Sequence, residues 1–294
     1  MLFLLGSIVL TSWLTLAFKM LERMRVNAFQ AIVFNYCTCV ITGSLVNGEF
    51  LPIGSVLQTG WFRWALLMGA MFVSIFNLLA VTTRRIGVAV ASVANKLSLV
   101  IPFVFSVYLY KEELTGLKLT GAGLALFGVA LTCWQDNRKS LGDQEKNRRF
   151  ILVLLPVTLF LSSGLLDTLI KFTEHRFLTE GNKDSFLVTA FASAAIIGLS
   201  VLTILSLSGR IRFSFRAVLA GIAIGIPNYF SIWCLIRVLK DYPGNSSAII
   251  PVNNMGIVLF SAVMAWLFFK EKLSALNWLG IILSVTAIAC IAFG

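Results

Sequence analysis

The chain has 294 residues, 58% of them hydrophobic and only 13% charged, with 24 Lys+Arg against 13 Asp+Glu. A soluble domain carries about 25% charged residues, so this composition excludes an extracellular enzyme, a disordered chain and a soluble nucleic-acid binder. The net charge of +11 lies in short breaks between apolar runs, where basic residues anchor a chain to headgroups rather than grip nucleic acid.

The apolar runs are roughly twenty residues long, the length that crosses ~30 Å of hydrocarbon. They predict ten helices, over 2–21, 27–47, 61–82, 86–109, 116–134, 150–170, 185–207, 217–239, 245–268 and 275–293. The first run has no basic flank ahead of it and no small-residue cleavage site behind it, which marks a membrane helix rather than a signal peptide. The breaks carry turn residues: Asn47-Gly48 before Pro52, Arg84-Arg85, Lys111-Glu112-Glu113, Gly209-Arg210 and Asp241-Tyr242-Pro243-Gly244. The longest polar stretch, Gln135 to Arg149, is too short for a folded domain. Cys37, Cys39, Cys133, Cys234 and Cys290 all fall within apolar runs and read as small buried hydrophobes. His175 has no second ligand nearby, so no zinc site is expected, nor any other metal or cofactor.

The two halves resemble each other. At an offset of 159, Lys111, Glu112, Leu114, Gly121 and Leu124 fall on Lys270, Glu271, Leu273, Gly280 and Leu283, and Asn95 falls on Asn254. At an offset of 157, Phe29, Phe34, Ser74, Gly87 and Ala91 fall on Phe186, Phe191, Ser231, Gly244 and Ala248. At 152, Lys19 and Glu22 fall on Lys171 and Glu174. The expected organisation is a first five-helix repeat over 1–134, a polar linker over 135–149 and a second repeat over 150–294. An odd number of spans per repeat gives the two copies opposite orientations, the inverted-repeat logic of alternating access. The fold class is therefore an all-α membrane protein of ten transmembrane helices in two five-helix inverted repeats.

With these features the chain resembles the drug/metabolite transporter superfamily, in its ten-helix EamA-like branch. The resemblance covers the whole chain. It rests on the five-plus-five repeat and on the turns Tyr110-Lys111-Glu112-Glu113-Leu114-Thr115 and Phe269-Lys270-Glu271-Lys272-Leu273-Ser274, each leading into a helix with an early glycine, Gly121 or Gly280. It implies secondary transport of a small metabolite through a central cavity lined by the first four helices of each half, in a bacterial inner membrane.

An ionisable side chain at mid-membrane costs ~2.5–3.5 kcal/mol on insertion scales, so it is kept mostly where it faces a cavity or a partner. Lys96 is such a residue, eleventh in its span, preceded by Asn95 and close to Pro102. The functional reading has Lys96 meeting a carboxylate or phosphate of the substrate; the alternative is a lysine held by helix carbonyls, paired with a buried Asp, or snorkelling to an interface. The repeat adds Asn253 and Asn254. Asn228, after Pro227 and before Tyr229 and Trp233, offers hydrogen bonds beside a flat apolar wall, and Trp13 and Thr15 are cavity candidates on the first helix. For each asparagine, with Asn35 and Asn77, the alternative is an interhelical bond that holds the bundle together. Asp167 stands four residues before Lys171, the spacing of a helical ion pair; a proton-exchanging carboxylate is the competing reading. Pro102, Pro251 and Pro227 are hinge candidates, as is Pro156, each with a static bend as the alternative. Gly121, Gly123 and Ala125, with Gly280 and Ser284, form small faces for close helix contact.

The expected function is secondary active transport of a small polar, anionic or zwitterionic metabolite. The alternative is a protein of the same superfamily that binds or flips a lipid headgroup. No nucleophile, base and orienting group converge, so enzymatic chemistry is not expected. The partners are a small-molecule substrate, the lipid bilayer and protons or a counter-substrate, with no nucleic acid, in a monomer or homodimer. The breaks after odd-numbered spans hold 15 basic residues and those on the other side 8. The positive-inside rule then puts both termini outside, whereas the resemblance implies termini inside.

Overall fold

The computed structural model describes residues 2–48, 56–110, 115–132, 143–179, 181–241, 246–271 and 273–293. Eleven helices cover most of them: α1 Leu2–Arg23, α2 Ala28–Asn47, α3 Phe62–Arg85, α4 Val88–Leu97, α5 Val100–Tyr110, α6 Gly116–Thr132, α7 Asp143–Phe177, α8 Lys183–Leu207, α9 Phe215–Asp241, α10 Ser246–Phe269 and α11 Ala275–Phe293. Among the described residues there is no strand, and eight spans are long and apolar enough to cross a membrane. The protein is an all-α, multi-pass membrane protein. Two shorter apolar helices, α6 with 17 residues and α11 with 19, pack on each other.

The helix ends follow from local chemistry. The Asn27 side chain accepts a bond from the Gln30 amide at 3.1 Å, and Gly48, at φ 72°, closes α2 in the left-handed conformation that glycine adopts without strain. Ser274 and Asn277 cap α11 reciprocally: the Asn277 amide donates to Ser274 Oγ at 3.2 Å and the Ser274 amide to Asn277 Oδ1 at 3.0 Å. Asn277 Nδ2 also donates to the Thr132 carbonyl at 2.8 Å, tying the start of α11 to the end of α6.

Two elements differ from the sequence expectation. The fourth span is two helices, α4 and α5, separated at Ser98-Leu99. The sixth begins at Asp143 rather than near 150 and runs to Phe177, so part of the expected linker is helical. Hydropathy marks where lipid lies, whereas Gln144, Glu145, Lys146 and Arg148 are good helix formers that continue the ladder beyond it. The turn Lys111 to Leu114, Cys133, Gly244 and Lys272 fall outside the described residues.

The chain forms two compact units, and neither is a sequence half. Unit 1 comprises residues 1–19, 78–165 and 231–294; unit 2 comprises residues 20–77 and 166–230. In unit 1, α6 crosses α11 at small residues. A Cβ at Gly121 would lie 2.9 Å from the Ala287 carbonyl, and one at Gly128 would lie 3.2 Å from the Gly280 carbonyl. The order of contacts rises along α6 and falls along α11, so the two helices run antiparallel. Also in unit 1, Ser12 Oγ donates to the Ile257 carbonyl at 3.4 Å, Gly256 abuts Ile8, and Gly164 abuts Ile101. The first helix of each sequence half thus packs on the fourth of the other.

In unit 2, α2 runs antiparallel to α8, with Gly198 against Val33 and Gly43 against Val188. Gly221 and Gly225 of α9 abut Ala31, Phe34, Asn35 and Thr38 of α2. Reciprocally, Ser193 of α8 donates to the Leu66 carbonyl of α3 at 3.2 Å and closes on Gly69. The core of unit 2 is aromatic: Tyr36, fully buried, has Phe72, Phe76 and Phe191 at ring-centroid distances of 6.1, 5.5 and 6.1 Å.

Candidate functional site

The interruption between α4 and α5 has a local cause. Pro102 has no amide to give the Ser98 carbonyl, and its ring crowds that carbonyl. The ladder therefore changes register: the Ile101 amide reaches Ser98 O at 2.9 Å, and the next bond runs from the Phe103 amide to Leu99 O at 3.2 Å. Pro102 then sits in the first turn of α5, where a missing amide is tolerated. Ser98, fully buried, turns its hydroxyl back onto the Asn95 carbonyl at 2.6 Å. Gly164 lets α7 close on Ile101 beside this point, where a Cβ would collide with the isoleucine side chain. By contrast, Pro156, Pro227 and Pro251 lie inside helices that continue through them.

Lys96 occupies the last turn of α4, half-buried, with half-buried Asn95 beside it. That turn ends within an apolar span, where the carbonyl end of a half-helix carries partial negative charge and favours a cation. Against α4 packs α10, which carries Asn253, buried, and Asn254, half-buried. Asn253 Oδ1 has no hydrogen-bond partner; nor have the buried hydroxyls of Ser7 on α1, Ser92 on α4 and Ser261 on α10. A buried polar atom left unsatisfied costs about 1–3 kcal/mol, so these atoms form polar positions in unit 1 that its own side chains do not complete. Trp13 is half-buried and Thr15 buried on α1 of the same unit.

The other end of α4 is fixed. Glu271, after the end of α10, brings its carboxylate to the first amides of α4, accepting from Val88 N at 2.9 and 3.1 Å and from Ala89 N at 3.5 Å. This satisfies amides that have no partner within the helix and sets a negative charge against the positive end of its dipole. Gly87 permits it: its φ is 130°, and a Cβ there would lie 2.9 Å from the carboxylate. Nearby, Lys19 Nζ donates to the Arg84 carbonyl at the end of α3, at 3.2 Å.

The remaining sequence candidates belong to unit 2. Asn228 Nδ2 donates to Asn35 Oδ1 at 3.1 Å, a buried bond between α9 and α2, and Cys39 Sγ approaches the Gly225 carbonyl at 3.4 Å. Tyr229, buried, lies against Gly43, with its hydroxyl 3.5 Å from Asn47 Oδ1. Asn77 Nδ2 donates to the Val73 carbonyl of its own helix at 2.7 Å. Asp167 and Lys171 are exposed on α7, and a surface ion pair joins Glu174 to Lys183 at 3.2 Å. Among the described residues no three His, Cys, Asp or Glu side chains cluster as metal ligands.

Sequence reasoning placed Glu271 in a turn motif and Gly87 in the repeat without joining them, because the bond from the Val88 amide to Glu271 spans 183 positions along the chain. The signal that was available was a glutamate reproduced at the same place in both halves. Gln30 was missed too: fully buried, it donates to the Arg212 carbonyl at 2.7 Å and accepts from the Ser214 amide at 3.1 Å, fixing the approach to α9.

No family model matches the chain. An uncharacterized protein of Haemophilus influenzae is 26% identical over 279 residues, a match covering 94% of this chain and 92% of that protein. A protein of known crystal structure is similar with a TM-score of 0.61 at 17% identity, over 98% of this chain and 94% of that one. The second likeness is one of fold, over nearly the full extent of both chains.

Proposed function

We propose that this protein is a secondary active transporter of a small polar metabolite, anionic or zwitterionic, working by alternating access in a bacterial inner membrane, and that it belongs to the EamA-like branch of the drug/metabolite transporters. The observation that carries the reading is the interrupted fourth span with Lys96 on the last turn before the break. Broken helices within apolar spans are tolerated where they line a cavity, and transporters use their ends to meet charged groups. In this reading Lys96 takes the substrate's anionic group, while Asn95, Asn253 and Asn254 supply amide donors and acceptors.

Three further features support it. The antiparallel crossings of α2 with α8 and α6 with α11 are what two inverted five-helix repeats require, with α6 and α11 as the ninth and tenth spans in addition to the eight long ones. The reciprocal packing of first on fourth helices and of second on third helices follows the same symmetry. The unsatisfied polar atoms of Ser7, Ser92, Asn253 and Ser261 suit a path for polar solutes.

The test is a thermal-shift screen of the purified protein against amino acids, organic acids, sugars, phosphorylated metabolites and lipid headgroups, repeated with Lys96→Ala. A ligand stabilises a protein through the state it binds. Stabilisation by one anionic or zwitterionic class, lost in the variant and matched by uptake or efflux in proteoliposomes, is the expected result. Stabilisation by lipid headgroups alone would replace transport of a soluble metabolite with headgroup binding or flipping, and an unchanged ligand response in Lys96→Ala would remove that lysine from the site.

A further inference from the structure

From the contact between Glu271 and the start of α4 we infer a gating latch: the carboxylate holds α4 in the present conformer, and its release frees that half-helix to move when the protein changes state. The inference rests on the transporter reading and names the residue that biases its two conformers.

Four observations converge on it. First, α4 is a ten-residue half-helix, closed at one end by the Glu271 carboxylate and at the other by the break at Ser98-Leu99. A short rigid element with a chemical clasp at one end and a change of ladder at the other moves as a body. Second, the clasp is local to two atoms of one side chain, which accept from two consecutive amides, and it is made from the connection after α10, the helix on which α4 packs. Opening it therefore requires no helix to unravel. Third, Gly87 carries a positive φ and has no Cβ, so the backbone at the clasp can rotate without a side chain meeting the carboxylate. Fourth, the carboxylate has somewhere to go: an open surface groove of about 490 Å³, lined by Trp266, Leu267, Lys270, Leu273 and Glu271 itself, lies at this point. Lys270, exposed in that wall, offers a cation to the released carboxylate. Because Lys96 rides on the last turn of α4, movement of this half-helix moves the proposed substrate contact.

The experiment measures accessibility at two ends of unit 1 without any substrate. Ser92→Cys, in the second turn of α4, reports the latched end. Ser7→Cys, twelve residues before Lys19 on α1 and so ~18 Å along the helix from it, reports the other. Both sites are buried serines, and labelling by a water-soluble thiol reagent is read as the increment over the parental chain. In Glu271→Gln, labelling at position 92 should rise by about fivefold, the population shift that a carboxylate at a helix N-terminus sustains, while labelling at position 7 falls. Gly87→Ala, which pushes a methyl group against the carboxylate, should act in the same direction. A structural weakening would raise labelling at both positions, and a bystander would change neither; either outcome overturns the latch. Neither bears on whether a metabolite is carried, which the ligand screen decides separately.

Discussion

The fourth span of the first half and the fourth span of the second align in sequence, Asn95 falling on Asn254, and they differ in two respects. Pro102 falls fourteen residues beyond the start of α4 and coincides with a break; Pro251 is the sixth residue of α10, where its missing amide forfeits one early ladder bond and the helix runs on. The last turn before the break carries Lys96, whereas its counterpart in the unbroken helix is Met255. Charge and interruption occur together in one half and are both absent from the other. The helix contacts of the two sequence halves correspond, and the proposed substrate contact falls where their fourth spans depart from each other.

Exchanging the two residues tests this most strongly. On the proposed reading Lys96→Met removes the cation that meets the ligand's anionic group and should weaken binding at least tenfold, about 1.4 kcal/mol. Met255→Lys should fail to restore it, as read by ligand-induced thermal shift. The packing of first on fourth helices comes next. Gly164→Ala forces a methyl group against the Ile101 branch point, whereas at Gly256 the methyl group meets the flexible end of Ile8. The first should destabilise by about 1–3 kcal/mol and the second by less, checked by denaturant unfolding in detergent. Restoring ladder continuity should have a smaller effect on stability and a clear one on activity: Pro102→Ala should raise Tm and depress transport, while Pro251→Ala should leave transport unchanged. The smallest effect belongs to Ser98→Ala, which loses one hydroxyl bond to the Asn95 carbonyl and should cost about 0.5–1.5 kcal/mol, with α4 still ending at the same residue by hydrogen exchange.

Much of this frame was legible in the sequence, since hydropathy locates apolar helices wherever lipid dictates the pattern. The helices beginning at Ala28, Phe62, Lys183 and Phe215 start within two residues of the expected positions. Pro102 announced a bend, although nothing in one sequence says which of four prolines will interrupt its helix; that depends on how much ladder precedes it and what packs alongside. Asn228 could be read either as a ligand contact or as bundle glue, and its partner Asn35 lies 193 positions away. Hydrogen bonds between distant helices leave no periodicity to find. Lys96 was conspicuous because a charge is costly among apolar residues, and Glu271 was not, because a glutamate in a polar turn is ordinary until the helix end it caps is known.

The interleaving of the halves bears on how the chain is made. Unit 2 joins α2 to α8 and α9, and unit 1 joins α1, α4 and α6 to α10 and α11. During synthesis the spans of the first half enter the bilayer before the glycine faces that meet the second half are covered. Unit 2 closes only once the ribosome has passed Phe230, and unit 1 only after α11 has been made. The first half, joined only by contacts such as Tyr36 with Phe72 and Phe76, must wait in the lipid for the second, which makes the membrane itself the holding environment for an unfinished fold.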